Sequence, residues 1–119
     1  MTRTDFGSHY LIDFIDCDPE MIKFVEPARS IVVRALKECG ATVIDQLFHQ
    51  FEPFGVSGTV LIAESHAGFH SWPENNFAAV DIFTCGVMDP DIAIDIMKKE
   101  FRARAVSMKI SVRGQLDRA

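Results

Sequence analysis

Residues 56–85, VSGTVLIAESHAGFHSWPENNFAAVDIFTC, hold three apolar runs separated only by short polar breaks. The first (56–64) and the last (77–85) are rich in β-branched and aliphatic residues. The middle one (66–72) carries Phe and Trp between histidines. Each is strand-sized, and Pro73-Glu74-Asn75-Asn76 is a loop. Strands joined by breaks this short cannot make the helical crossover that parallel pairing needs, so they predict an antiparallel sheet.

Working outward, residues 42–51 read as a strand that enters this block through the turn Pro53-Phe54-Gly55. Residues 9–16 (HYLIDFID) read as a first strand. Asp18-Pro19-Glu20 then offers an N-cap, a proline at the first helical position and a first-turn acid. Met21, Val25, Ala28, Val32, Leu36 and Cys39 recur at helical spacing, and Gly40 stands where a helix ends. Pro27 interrupts that pattern, so the main helix is expected over about 27–39. Downstream, Asp89-Pro90-Asp91 repeats the helix-start chemistry, and Ile92, Ile96, Met97 and Phe101 give an apolar face. Lys98 and Lys99 lie near its C-terminal end, where cations suit the helix dipole. Residues 106–112 alternate as a last strand, and the tail after it is expected to fray. The order β-α-β-β-β-β-α-β predicts an α+β fold, a two-layer sandwich of a mainly antiparallel sheet with both helices on one face. The other face then needs cover, and a second copy of the chain is the natural candidate.

Composition narrows the function classes. The chain has 119 residues, a size suited to a single domain, with 12 basic and 17 acidic side chains and a net charge of −5. No run of Lys or Arg offers a track for phosphates, which argues against nucleic acid. The apolar stretches are far shorter than a membrane span, and the first five residues lead into no apolar signal segment. Three cysteines, Cys17, Cys39 and Cys85, form no CxxC pair and leave an odd count, so a reducing cytoplasm is expected.

The chemistry concentrates at the centre. Glu64-Ser65-His66, His70-Ser71-Trp72-Pro73-Glu74 and Asp81-Ile82-Phe83-Thr84-Cys85-Gly86 crowd acids, hydroxyls, imidazoles and a thiol into one region. Zinc on His66, His70 and Cys85 has the right donor types, but its spacing is extended and no fourth donor is evident, so no metal site is assigned. A serine hydrolase could use Ser65, one histidine and Asp81, yet the GxSxG elbow is missing. Histidines that merely satisfy a strand pair are the third reading.

These three segments together resemble the signature of the small prokaryotic S-adenosylmethionine decarboxylase proenzymes. The likeness extends upstream through Phe48-His49-Gln50-Phe51 and Gly55-Val56-Ser57-Gly58, and more weakly to Gly7, His9 and Cys17-Asp18, covering roughly residues 7–101. It implies self-cleavage between Glu64 and Ser65, giving chains 1–64 and 65–119. Ser65 Oγ attacks the Glu64 carbonyl, and the resulting ester collapses through dehydroalanine to a pyruvoyl group. A hydroxyl needs a base and a polarised carbonyl for such a step. The pyruvoyl carbonyl then forms a Schiff base with the substrate amine and serves as the electron sink for decarboxylation.

The resemblance also implies site roles. His70 acts in processing, and its spacing from Ser65 calls for a bend near Gly68 if the two are to meet. Cys85 is the proton donor. Phe51 and His70 stack on the adenine, Glu74 accepts from the ribose hydroxyls, and Ser57 supports the processing or the intermediate. The expected product is the aminopropyl donor for spermidine, made by a homodimer of processed protomers. The same pyruvoyl chemistry also serves arginine and ornithine decarboxylases, for which Asp5, Asp13 or Asp16 would be candidate acids. A non-catalytic partner subunit would share the fold. Ala67-Gly68-Phe69, Ser8 and Asn75-Asn76 are where the chain departs from the family pattern.

Overall fold

Alternating side chains along six strands build one sheet with two unlike faces. In the computed structural model, which describes residues 6–114, the strands are β1 (Gly7–Ile15), β2 (Val43–Gln50), β3 (Val56–Ile62), β4 (Ser65–Trp72), β5 (Phe77–Thr84) and β6 (Ala105–Arg113). They lie in the order β2-β3-β4-β5-β1-β6, and each neighbouring pair is antiparallel. Helices α1 (Val25–Glu38) and α2 (Pro90–Glu100) cover one face, so the predicted α+β sandwich is the observed one. The tail after 114 and the first five residues lie outside the described residues.

The core fills the space between sheet and helices. Ile12 and Phe14 of β1, Val60 and Ile62 of β3, Phe69 of β4 and Ile82 of β5 meet Ala28, Val32, Leu36 and Met97 from the helices. Phe101, fully buried just past α2, packs edge-on against Phe14 at 5.5 Å between ring centroids and lies tilted against Phe69 at 5.6 Å.

The helix-start signals act as read. Asp18 accepts from the Glu20 N–H at 3.0 Å, opening a 3-10 turn (Pro19–Met21), and Asp89 accepts from the Asp91 N–H at 3.1 Å at the head of α2. Pro27 forces the preceding Glu26 out of helical dihedrals (φ −104, ψ 131), so the regular helix begins at the proline as expected. Gly40 takes φ 98 at the end of α1, a conformation that suits glycine.

Three expectations need correction. β3 stops at Ile62, because Ala63 and Glu64 make the turn. The buried face of α2 is Pro90, Ala93, Ile94 and Met97, an i, i+3, i+4, i+7 stripe on which Ile92 does not lie, so Ile92 is exposed. No bend occurs near Gly68: β4 pairs in unbroken register with β3 from Ser65 to His70 and with β5 from Ser65 to Trp72.

Among the described residues, no element covers the opposite face of the sheet. It carries Leu11, Leu47, Leu61 and Trp72, each more than two-fifths exposed. By strand parity it also carries all four histidines of the chain: His9, His49, His66 and His70.

Replacing Phe101 with Ala would leave a cavity where three rings meet, with an expected loss of about 3–5 kcal/mol in urea unfolding. A loss below about 1 kcal/mol would mean that the Phe14–Phe69–Phe101 contact does not carry the core.

Candidate functional site

The turn between β3 and β4 is under unusual constraint. Ile62 and Ser65 face each other across the ladder, leaving Ala63-Glu64 as a two-residue loop. Such loops favour turns with positive φ inside the loop, matching the strand twist. Neither Ala63 nor Glu64 is among the described non-glycine residues with positive φ. Ser65 is, at φ 148. A side-chain-bearing residue held there costs on the order of 1–3 kcal/mol.

The Glu64 carbonyl is gripped from the end of β5. It accepts the Cys85 backbone N–H at 3.1 Å and the Cys85 thiol at 3.4 Å. The Glu64 carboxylate accepts the Thr42 N–H at 3.1 Å, and the Ala63 N–H donates to the Thr42 carbonyl at 2.9 Å. Gly86 leaves the space that the Glu64 side chain fills: a Cβ there would lie 2.4 Å from Glu64 Cγ. Two donors converging on one backbone carbonyl make it a ready electrophile, with an oxyanion at that oxygen stabilised by both.

A second group lies at the far end of β4. Phe51, Ser57, His70, Trp72 and Glu74 line a cavity of about 320 Å³. Ser57 and His70 are cross-strand partners, with Oγ 3.0 Å from Nδ1. Phe51 rests edge-on against His49 at 4.6 Å, and His70 lies beside Trp72 at 6.4 Å. The wall is tied to the helix layer. Ser71 Oγ donates to the Ile22 carbonyl at 2.7 Å while accepting the Val56 N–H at 3.0 Å, and Gln50 accepts the Val25 N–H at 2.7 Å. Two aromatic rings, a carboxylate and a hydroxyl–imidazole pair suit a flat, hydroxyl-bearing ligand.

The two groups do not meet within one chain. Ser65 and His70 are separated by the straight length of β4, roughly 16 Å at the strand rise, and the parity of the strand sends them to opposite faces. The structure thus brings Glu64, Ser65 and Cys85 together, and separately Phe51, Ser57, His70 and Glu74. The zinc set fails on the same ground, because His66 and His70 stand roughly 13 Å apart along the strand.

The hydrolase set fails by parity as well: Asp81 does hold imidazoles, but His66 and His70 lie on the face opposite Ser65. Asp81 lies 2.7 Å from His9 Nε2 and 3.3 Å from His66 Nε2. Its other oxygen fills the space above Gly68, where a Cβ would come within 2.4 Å. That close approach is what the glycine serves. His9 joins this cluster from 72 residues away, and no local signal in the sequence marked it. Of the acids weighed for a basic substrate, Asp16 is paired with Arg104 at 2.7 Å, Asp13 is exposed on the uncovered face, and Asp5 lies outside the described residues.

The cysteines divide sharply. Burial pushes the Cys17 thiol up from 9.0 to about 11, and burial likewise raises Cys39, whereas Cys85 is exposed.

The family model described as S-adenosylmethionine decarboxylase matches residues 8–114. An S-adenosylmethionine decarboxylase proenzyme from Thermodesulfovibrio yellowstonii is 46% identical over 109 residues, 91% of this chain and 81% of that protein. Another from Fervidobacterium nodosum is 42% identical over 112 residues, 93% of this chain and 82% of that protein. The crystal structure of the adenosylmethionine decarboxylase from Aquifex aeolicus superposes with a TM-score of 0.86 at 33% identity, covering 99% of this chain and 98% of that one.

Raising Cys17 to about 11 cuts its thiolate fraction roughly a hundredfold at neutral pH, and burial blocks access as well. One fast thiol per native chain is therefore expected with a disulfide reagent, and it should disappear in Cys85→Ala. Two or more fast thiols would contradict the assignment.

Proposed function

We propose that this chain, which belongs to the S-adenosylmethionine decarboxylase family, cleaves itself between Glu64 and Ser65 and uses the carbonyl group formed from Ser65 in its reaction. It is a decarboxylase acting on S-adenosylmethionine, and its product is the aminopropyl donor for spermidine. The observation that carries the cleavage reading is the Glu64 carbonyl held by both donors of Cys85.

The order of events follows from that carbonyl. Ser65 Oγ adds to the Glu64 carbon, and the negative charge falls on the oxygen that Cys85 already serves. The C–N bond breaks toward the Ser65 nitrogen and leaves an ester. Loss of the Ser65 α-proton expels the Glu64 carboxylate. Water then replaces the Ser65 nitrogen, which departs as ammonia. The strained φ of Ser65 favours the first step, since cleavage frees the residue from the turn. Ser65 is thus suited to become a pyruvoyl group, with Cys85 beside it. A pyruvoyl carbonyl supplies an electron sink for the loss of carbon dioxide from an α-amino acid.

The remaining roles belong to the chain's own side chains. Cys85 Sγ, already close to the Glu64 carbonyl, carries the proton that the substrate carbon takes up after decarboxylation. Phe51 and His70 present aromatic faces to the adenine, Glu74 accepts from the ribose hydroxyls, and Ser57 fixes the His70 ring through Nδ1.

Because β4 keeps these groups apart within a chain, each working site in our reading is shared by two copies. The uncovered face, with Leu11, Leu47, Leu61 and Trp72 exposed, is the surface a second copy would cover. Stacked about a two-fold axis, the Ser65 end of one β4 lies over the His70 end of its partner. Ser65 faces the helix layer while it is held in the strand and turns to the shared site as cleavage releases it, making two equivalent sites. The proposed compartment is the cytoplasm, in keeping with three free cysteines. Among the described residues, no helix is long and apolar enough to cross a membrane.

Intact mass under denaturing conditions should reveal chains 1–64 and 65–119, the latter lacking its N-terminal amine, and Ser65→Ala should remain whole and inactive. Uncut wild-type chain after long incubation would contradict self-cleavage. Sharing is tested by co-expressing Ser65→Ala with His70→Ala. Each alone should be inactive, and together they should recover roughly one quarter of the wild-type sites. No recovery would contradict the shared site.

A further inference from the structure

We propose that His9, Asp81 and His66 form a binding site for one divalent transition-metal ion of the zinc class. Their ligand atoms all lie within 4.8 Å of one another, with His9 Nε2 at 2.7 Å and His66 Nε2 at 3.3 Å from the same Asp81 oxygen. Zinc takes nitrogen and carboxylate donors at about 2.0–2.2 Å, which sets neighbouring donors roughly 3–4 Å apart. The cluster therefore needs only small side-chain shifts to close on an ion. Two imidazoles and one carboxylate select zinc-like ions over magnesium or calcium, which prefer all-oxygen shells.

The donors stand on rigid backbone. They come from three adjacent strands, β1, β5 and β4, and both histidines sit directly opposite Phe83. The Phe83 ring lies 5.5 Å from His9 and 6.0 Å from His66, while the two imidazoles meet edge-on at 5.9 Å. Gly68 leaves the space that Asp81 occupies. Sites built on strands with their side chains packed hold geometry better than loop sites. Three protein donors leave a fourth position for water or a small ligand, on the face that a second copy would cover in the proposed pair.

Binding an ion through Nε2 selects the imidazole tautomer whose proton sits on Nδ1, in which His9 Nδ1 cannot accept the long 3.5 Å contact from Arg113. The ion would tie together the three central strands next to the Ala63-Glu64 turn. Neither His9 nor Asp81 has a part in the Ser65 chemistry proposed above, so the two readings stand or fall separately.

The test is calorimetric titration of the chelator-stripped full chain with zinc chloride, and with magnesium chloride in parallel. Uptake of one zinc per chain and no magnesium is expected. Asp81→Asn and His9→Gln should each weaken zinc binding by roughly 100-fold or more, while their metal-free melting curves report that they fold. Having two variants from different strands covers the failure of either to fold. No zinc uptake by the wild-type chain, equal uptake of magnesium, or zinc binding unchanged in the folded variants would overturn the site.

Discussion

The ladder of β4, bonded on one side to β3 and on the other to β5, is the constraint from which the functional layout follows. A strand paired on both edges has no freedom to bend without breaking backbone hydrogen bonds, and its side chains must alternate. Ala67, Phe69 and Ser71 therefore go to the helix layer, and His66, Gly68, His70 and Trp72 to the uncovered face. Ser65 begins the same strand, about six residues from the pocket wall. One straight element thus holds both ends of the proposed chemistry and keeps them apart. A second copy across the open face is the economical way to join them.

The turn at the head of β4 is where the fold stores strain. The register leaves two residues for the reversal, neither takes the favoured positive φ, and the distortion falls on Ser65. β5 ends opposite, so the Cys85 N–H and thiol reach the Glu64 carbonyl, while Gly86 clears space for the Glu64 side chain. Strain and polarisation converge on a single peptide bond. The packed side of the sheet supplies the stiffness that keeps them there, with Phe14 and Phe69 both packed on Phe101 behind the central strands.

Much of this was legible in the residues. Strand alternation, the Asp-Pro helix starts and Gly40 located the elements to within a residue or two, because each rests on a local steric rule. The Ala63-Glu64 turn was not legible, since it lacks the glycine or asparagine that marks a two-residue hairpin. Gly68 looked like a bend because its true reason, the Asp81 carboxylate, lies on another strand. His9 lay only at the weak edge of the resemblance and had no role there, because its partner is 72 residues away. The grouping of Phe51, Ser57, His70 and Glu74 came from motif resemblance, and the cavity they line gives that grouping a physical basis.

The central claim is that the chemistry of Ser65 is directed at a nucleoside-bearing amino acid by the pocket of Phe51, His70 and Glu74. Carbon dioxide release from S-adenosylmethionine, arginine and ornithine, measured side by side on the purified processed protein, tests it most directly. The expected result is a kcat/KM for S-adenosylmethionine that exceeds both basic amino acids by at least about a hundredfold, because neither can fill the aromatic cavity or reach Glu74 with ribose hydroxyls. Equal or greater turnover of arginine or ornithine would contradict the claim, leaving the Ser65 centre intact but assigning the cavity a different ligand.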